Sequence, residues 1–260
     1  MSNNNLYKAR DLKSSVMYAV DGRIGTVEDC YFDEITWEIR YLLSIPENCH
    51  VHMHRLVPCL AIDSIECDDH SILVELTRQQ IENSPPLRRH QTVSRHYEAE
   101  YYSYFGWPPY WEQGRPSATH HCSSRNLRNS KSEDTVVMHP MYTHIYSVSN
   151  LYDCTITSHD GISGYVEDLI LDTKRWFVSY LQVNTQHDRP NKRILISPDW
   201  ICQINMSRRA VYTDLPSSLI RQAPGFDPAQ TISPEYEARL VWHYGNPGLW
   251  RYRCDSDQQQ

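Results

Sequence analysis

Acids lead among the residues able to do chemistry in this chain. Glu28, Asp29 and Asp33 recur at the same spacing as Glu167, Asp168 and Asp172. Paired carboxylates can divide acid and base duties when burial splits their pKa values, so proton transfer or ion binding is one reading. The other is structural: Asp33 and Asp172 stand where a turn between strands takes an Asx-type side-chain bond. His50, His52 and His54 alternate in His-Val-His-Met-His. On a strand the three imidazoles share one face and could hold zinc or nickel; as a solvent-facing strip they hold nothing. The places 139 residues later carry Arg189, Asn191 and Arg193, so a metal there would be an acquisition of this segment alone. His120-His121-Cys122 lies in a polar stretch that makes a poor preformed metal site. None of the cysteines, at 30, 49, 59, 67, 122, 154, 202 and 254, forms a Cys-x-x-Cys pair. Phosphate loops, nucleophile elbows and His-Glu-x-x-His are absent from the sequence. The expectation is a non-enzymatic protein with no cofactor and no resident metal.

Aromatic residues offer a different kind of work. The chain has 18 Tyr and 7 Trp against 4 Phe, a bias toward rings that have one apolar and one wet end. Tyr97, Tyr101, Trp107 and Trp111 crowd one short stretch, and Tyr236, Leu240, Tyr244 and Trp250 lie in another. These eight are the candidate partner-binding residues, because Tyr and Trp are enriched in binding hot spots. The competing reading is packing within the molecule.

The elements that position these groups read as strands, then a short helix, then an aromatic helix. Asp21-Gly22 and Asp160-Gly161 are hairpin signals; Gly25, Asp33, Gly164 and Asp172 complete a set of turn positions. Trp37, Ile39, Tyr41 and Leu43 alternate at period two. Short strands are expected at 55–60, 62–67 and 71–75, with counterparts at 192–196, 200–206 and 210–213. Thr77 and Gln80 fit a capping box, and the helix it opens stops before Pro85-Pro86. Ser233-Pro234 opens a helix whose Tyr236, Leu240 and Tyr244 share a face, closed by Gly245.

Sliding the chain on itself brings Tyr7 onto Tyr146, an offset of 139 (146 − 7), at which residues 6–111 fall on 145–250 without a gap. Trp37, Tyr41 and Leu42 then meet Trp176, Tyr180 and Leu181, and Gly106, Pro108 and Trp111 meet Gly245, Pro247 and Trp250. The reading is a tandem duplication. Its parts are residues 1–112, a polar linker over 113–138, a second unit over 139–252 and a tail over 253–260. The linker's basic residues Arg115, Arg125, Arg128 and Lys131 leave open a tether for an anionic surface. The formal charge is −7, which disfavours nucleic-acid wrapping. No apolar run is long enough to insert in a membrane, and no export signal opens the chain, so a cytoplasmic protein with reduced thiols is expected.

The run Gly22-Arg23-Ile24-Gly25-Thr26-Val27-Glu28-Asp29, followed by Phe32-Asp33, Trp37 and Ile39-Arg40-Tyr41-Leu42, resembles the PRC-barrel family, as does Gly161 to Leu181. The segment Leu76 to Ile81 with Asn83-Ser84-Pro85 is similar to the family's closing part. The family is named for the cytoplasmic domain of the photosynthetic reaction-centre H subunit, and a related barrel ends a ribosome-maturation factor. The resemblance covers roughly residues 10–86 and 150–225 and extends to bacterial members with paired barrels. It implies a mainly β chain: two small β-barrels in tandem, each followed by a short helix and an aromatic helical tail. It further implies barrels that pair with one another and an adaptor or scaffold role toward a protein partner not named by the sequence. The alternatives are a small-ligand or metal sensor using a groove between barrels, or an H-subunit-like accessory role in an electron-transfer complex.

Overall fold

The computed structural model describes residues 5–46, 53–66, 71–88, 93–112, 145–185 and 192–245. His50, His52, Trp250, the segment 113–138 and the residues 253–260 lie outside the described residues, as does His120-His121-Cys122. The first half runs β1 (Leu6–Lys8), α1 (Ala9–Leu12), β2 (Val16–Ala19), β3 (Gly22–Asp33), β4 (Ile39–Pro46), β5 (Met53–Pro58), β6 (Ile62–Glu66), β7 (Ser71–Val74), α2 (Arg78–Glu82), β8 (Pro86–Arg88) and α3 (Arg95–Phe105). The second runs β9 (Ile145–Ser147), a 3-10 turn (Val148–Leu151), β10 (Thr155–Ser158), β11 (Gly161–Asp172), β12 (Phe177–Thr185), β13 (Lys192–Ile196), β14 (Ile201–Asn205), β15 (Ala210–Thr213), α4 (Ser217–Gln222) and α5 (Pro234–Tyr244).

Each half is organised by one long strand. Gly22 takes φ 136° and turns β2 back along β3, with Ala19 opposite Gly22 and Val16 opposite Thr26. Gly25 and Gly164 are not turn residues. They sit inside β3 and β11 where the neighbouring strand crosses closely: a Cβ on Gly25 would lie 1.9 Å from the Ile45 carbonyl oxygen, and one on Gly164 would lie 2.4 Å from that of Asn184. Asp33 Oδ1 accepts from the amides of Ile35 (2.9 Å) and Thr36 (3.2 Å), and Asp172 Oδ1 from those of Lys174 (3.0 Å) and Arg175 (3.1 Å). Asp21 and Asp160 reach further than their hairpins. Asp21 accepts from the Arg78 amide at 2.7 Å and Asp160 from the Ser217 amide at 2.9 Å, which ties each hairpin to the first turn of α2 or α4. Thr77 and Gln80 form the capping box of α2.

The expectation of two closed barrels is overturned by the pairing of the strands. One sheet has eight strands in the order β6-β7-β2-β3-β4-β5-β8, with β9 added on β3. The other has seven, β13-β12-β11-β10-β15-β14, with β1 added on β11. The end strands of each order do not pair with each other, so both sheets are open. The physical reason lies in β3 and β11. Each is too long for its hairpin partner, and the edge left over is filled from the other half instead of by the sheet curling back on itself. Tyr31, Phe32 and Asp33 pair with Ser147, Tyr146 and Ile145; Ile170, Leu171 and Asp172 pair with Lys8, Tyr7 and Leu6. The expected side-by-side pairing of two barrels is therefore replaced by an exchange of edge strands between two open sheets. Nor are the sheets simple copies. β8 extends the first sheet beyond β5, whereas against β13 the Phe226 N–H donates to the Arg193 carbonyl at 2.7 Å.

The turns that follow the long strands also meet. Trp37 and Trp176 hold φ of 60° and 53°, a left-handed conformation that costs a non-glycine residue about 1–2 kcal/mol. In that conformation the Trp37 carbonyl accepts from the Val178 amide (2.9 Å) and the Trp176 carbonyl from the Ile39 amide (2.7 Å). Trp37 is wholly buried and stacks on Phe32 with ring centroids 5.3 Å apart. One apolar core runs through both halves, from Met17, Phe32 and Leu42 to Leu169, Leu181 and Ile194. A second core gathers Tyr31, Tyr41, Leu56, Leu87 and Ile145 under α3.

Candidate functional site

Three groups of polar and aromatic side chains stand out. The first lies under α3. Ser94 caps this helix and Gly106 ends it with φ 67°, so Tyr97, Glu98, Tyr101 and Tyr102 turn inward. Glu98 is 1 % exposed. Its carboxylate accepts from Tyr41 Oη (2.8 Å), Tyr110 Oη (3.1 Å) and Arg95 Nη1 (2.9 Å). Burial pushes the Glu98 pKa up, against the pull of Arg95 and the two hydroxyls, and pushes the Tyr41 phenol up as well. The guanidinium of Arg40 lies 3.8 Å over the Tyr110 ring and that of Arg95 4.4 Å over Trp111. Trp107 stacks on Phe105 at 4.4 Å and is half-buried, as is Trp111. Every member of this group finds its partners inside the molecule. In the second half Tyr180 Oη donates to Glu237 at 2.6 Å, the same liaison 139 residues on.

The second group sits where the halves exchange strands. Asp29 on β3 accepts from the hydroxyls of Ser147 and Ser149 and from the amides of Cys30 (2.8 Å) and Ser149 (3.3 Å). Asp168 on β11 is 3 % exposed and accepts from the Leu169 amide at 2.8 Å. Its other neighbours are looser: Tyr152 Oη at 3.5 Å and Arg10 Nε at 3.9 Å. Arg10 spreads over the Tyr152 ring at 4.2 Å. Between Asp29, Lys13, Cys30 and Tyr152 lies a cleft of about 20 Å³, room for one water rather than for a substrate. Burial raises the Cys30 thiol well above its ordinary range, assisted by Asp29 and Asp168, which favours its protonated form.

The third group is the pair Glu28 and His54. Of the histidine strip only His54 is among the described residues; it is buried, with Nδ1 2.9 Å from Glu28 Oε2. Glu167, at the matching place of β11, is held instead by Arg193 Nε (2.6 Å), Arg193 Nη2 (2.8 Å) and Gln182 (2.9 Å), which keep its carboxyl below the ordinary range. His54 thus takes the place of a cation against a repeated acid. Among the described residues no group of three His, Cys, Asp or Glu is placed to hold a metal ion.

The structure distributes the expected partner-binding residues unevenly. Tyr97 and Tyr101 are buried, and their hydroxyls donate to the carbonyls of Pro85 and Leu56 at 2.6 Å each. Tyr236, Leu240 and Tyr244 are buried along α5, where Tyr236 and Tyr244 donate to the carbonyls of Pro224 and Leu195 at 3.1 Å each. The most exposed large apolar side chain among the described residues is not one of these eight: Trp242 on α5 is 86 % exposed. The helical spacing that turns 236, 240 and 244 inward leaves 242 about 200° away from 240, so the signal was present in the sequence.

No family model and no curated protein matches the chain. With both sheets open, the resemblance to the PRC-barrel family is overturned, and no repeat family stands behind the 139-residue offset. Among the described residues no helix is long and apolar enough to cross a membrane.

Proposed function

We propose that the protein is a non-catalytic adaptor or scaffold that binds a protein partner through the outer face of α5, centred on Trp242. The observation that supports this reading is the 86 % exposure of that side chain on a helix otherwise fixed by a Ser233 cap, a Gly245 stop and three buried residues. Trp is the residue whose burial gains most in an interface, at 150–250 Å² of ring or about 4–6 kcal/mol by area. A rigid helix presents it without the ordering cost of a mobile loop. The carboxylates of Asp29, Glu98 and Glu167 spend their oxygens on neighbours in the fold. A reducing compartment suits this reading: Cys30, Cys59 and Cys154 are buried free thiols. The cytoplasm is accordingly the proposed location.

The test is Trp242→Ala in capture of partners from native extract, with urea unfolding in parallel. The expected result is loss of a stoichiometric partner with stability changed by less than about 1 kcal/mol. Unchanged capture would sink the reading; so would a large loss of stability, which would make Trp242 a structural residue.

A further inference from the structure

The two exchanged segments follow one pattern. Leu6-Tyr7-Lys8-Ala9-Arg10-Asp11-Leu12 and Ile145-Tyr146-Ser147-Val148-Ser149-Asn150-Leu151 each carry an apolar residue, a tyrosine, a second apolar residue two places on and a leucine three places further. They dock in one register. Leu6, Tyr7 and Lys8 lie opposite Asp172, Leu171 and Ile170, and Ile145, Tyr146 and Ser147 opposite Asp33, Phe32 and Tyr31. A helical turn follows each strand and buries Ala9 and Leu12 in one case, Val148 and Leu151 in the other. An acid of the long strand then receives that turn. Asp168 accepts from the Arg10 amide and lies 3.9 Å from its Nε, and Asp29 accepts from the Ser149 amide at 3.3 Å and from its hydroxyl.

Two sequences that differ at Lys8/Ser147, Arg10/Ser149 and Asp11/Asn150 thus take the same seat. In strand addition the main-chain ladder accepts any extended segment, and the seats for alternate side chains select among them. We propose that the edge of β11 at Ile170–Asp172 is a strand-addition site for a segment of another protein with the pattern apolar-Tyr-x-apolar-x-x-Leu. The strap of β1 and α1 is its resident competitor, which the partner displaces. This site is separate from the Trp242 face and does not depend on it.

The two edges are not equally open to exchange. β9 buries Ile145 and Ser147, whereas β1 is only half-buried at all three positions. The first strap is tied down from its surface: Lys8 Nζ donates to the Pro228 carbonyl at 2.6 Å and Arg10 Nη2 to the Glu167 carbonyl at 3.0 Å. The second is tied from within, by Ser147 and Ser149 on Asp29. Ala9 also buries less apolar surface than Val148 does in the matching place, and the small cleft beside Asp29 opens against it. A partner with a larger apolar residue there has more to gain at β11 than the strap has. The strap opposes it through its tether, which keeps its effective concentration near about a millimolar.

The probe is a labelled peptide, Ile-Tyr-Ser-Val-Ser-Asn-Leu, added to the full chain and to two full-length variants with a weakened strap, Tyr7→Ala and Lys8→Ala. By anisotropy, both variants are expected to bind it at least tenfold more tightly than the parent, because less competition has to be overcome. Should Tyr7→Ala fail to fold, Lys8→Ala carries the comparison, since it removes only a surface tie. Hydrogen exchange of Lys8→Ala with the peptide bound should lose protection at least tenfold over residues 5–12 and keep it over 170–172 and over 178–185 of β12. A peptide with serine in place of its tyrosine and leucine should bind at least tenfold more weakly, and Trp242→Ala should leave binding unchanged. The proposal fails if folded Lys8→Ala binds no better than the parent, if residues 5–12 keep their protection with peptide bound, if the serine peptide binds as well, or if Trp242→Ala abolishes binding.

Discussion

Single residues in this protein are constrained by backbone conformation as much as by chemistry. Ser14 and Asp153 take φ of 74° and 60°, and both donate their amides across to the long strand of their sheet, Ser14 to Val27 at 2.8 Å and Asp153 to Val166 at 2.9 Å. Glycine accepts this conformation without the Cβ clash. Ser14→Gly and Asp153→Gly are therefore each expected to stabilise the protein by about 0.5–1 kcal/mol, read as a raised urea midpoint at unchanged slope. Gly25→Ala runs the other way. Its Cβ would meet the Ile45 carbonyl oxygen at 1.9 Å, inside a pair of strands that cannot move apart without breaking the β3–β4 ladder. That variant should lose more than about 3 kcal/mol, and soluble expression with a parental melting curve would contradict the close-approach argument.

At the scale of elements, α3 and α5 occupy like positions yet differ in how they are covered. The aromatic segment after α3 folds back so that Trp107, Tyr110 and Trp111 all meet the Tyr102 ring, with centroids 5.5–6.2 Å away. Trp107→Ala should cost about 2 kcal/mol in chemical unfolding, less than a wholly buried Trp because one side of the ring is wet. On α5, Tyr244→Ala should cost about 3–5 kcal/mol, since the ring is buried and its hydroxyl holds the Leu195 carbonyl, whereas Trp242→Ala should leave stability nearly unchanged. These helices were largely legible in the sequence. Their caps and their i, i+4, i+8 stripes are local patterns, and so are the hairpin at Asp21-Gly22 and the capping box at Thr77. What was not legible is pairing at a distance. β1 and β9 are three residues each, Leu6-Tyr7-Lys8 and Ile145-Tyr146-Ser147, too short to carry a period. Their alignment at an offset of 139 does not say which long strand each will join. Closure into barrels was implied by the family resemblance, and nothing local distinguishes a closing edge from one filled by the other half. The Asp168 seat was hidden for the same reason, because Arg10 reaches it from 158 residues away (168 − 10). The same helical stripe sets Trp242 on the face opposite the one that packs.

The molecule as a whole is held together by reciprocity: each sheet lacks a strand that only the other half supplies, and each strained tryptophan turn offers its carbonyl to the opposite strand. A chain with an engineered protease site placed between Glu112 and Ile145 should, once cut, still elute as one species on gel filtration, and should separate only in denaturant. Separation of the pieces in plain buffer would mean that the exchanged strands and the shared core contribute little. The exchange also bears on how the protein is made. On the ribosome the edge of β3 at Tyr31–Asp33 emerges 112 residues before the first residue of its partner, Ile145 (145 − 33), a wait of roughly 6–20 s at 5–20 residues per second. Throughout that interval the nascent first half presents an open, unpaired edge of the kind that recruits foreign strands. Newly made chains therefore face their greatest risk of aggregation before the second half exists, and chaperones that shield nascent β-edges have their opportunity during that interval.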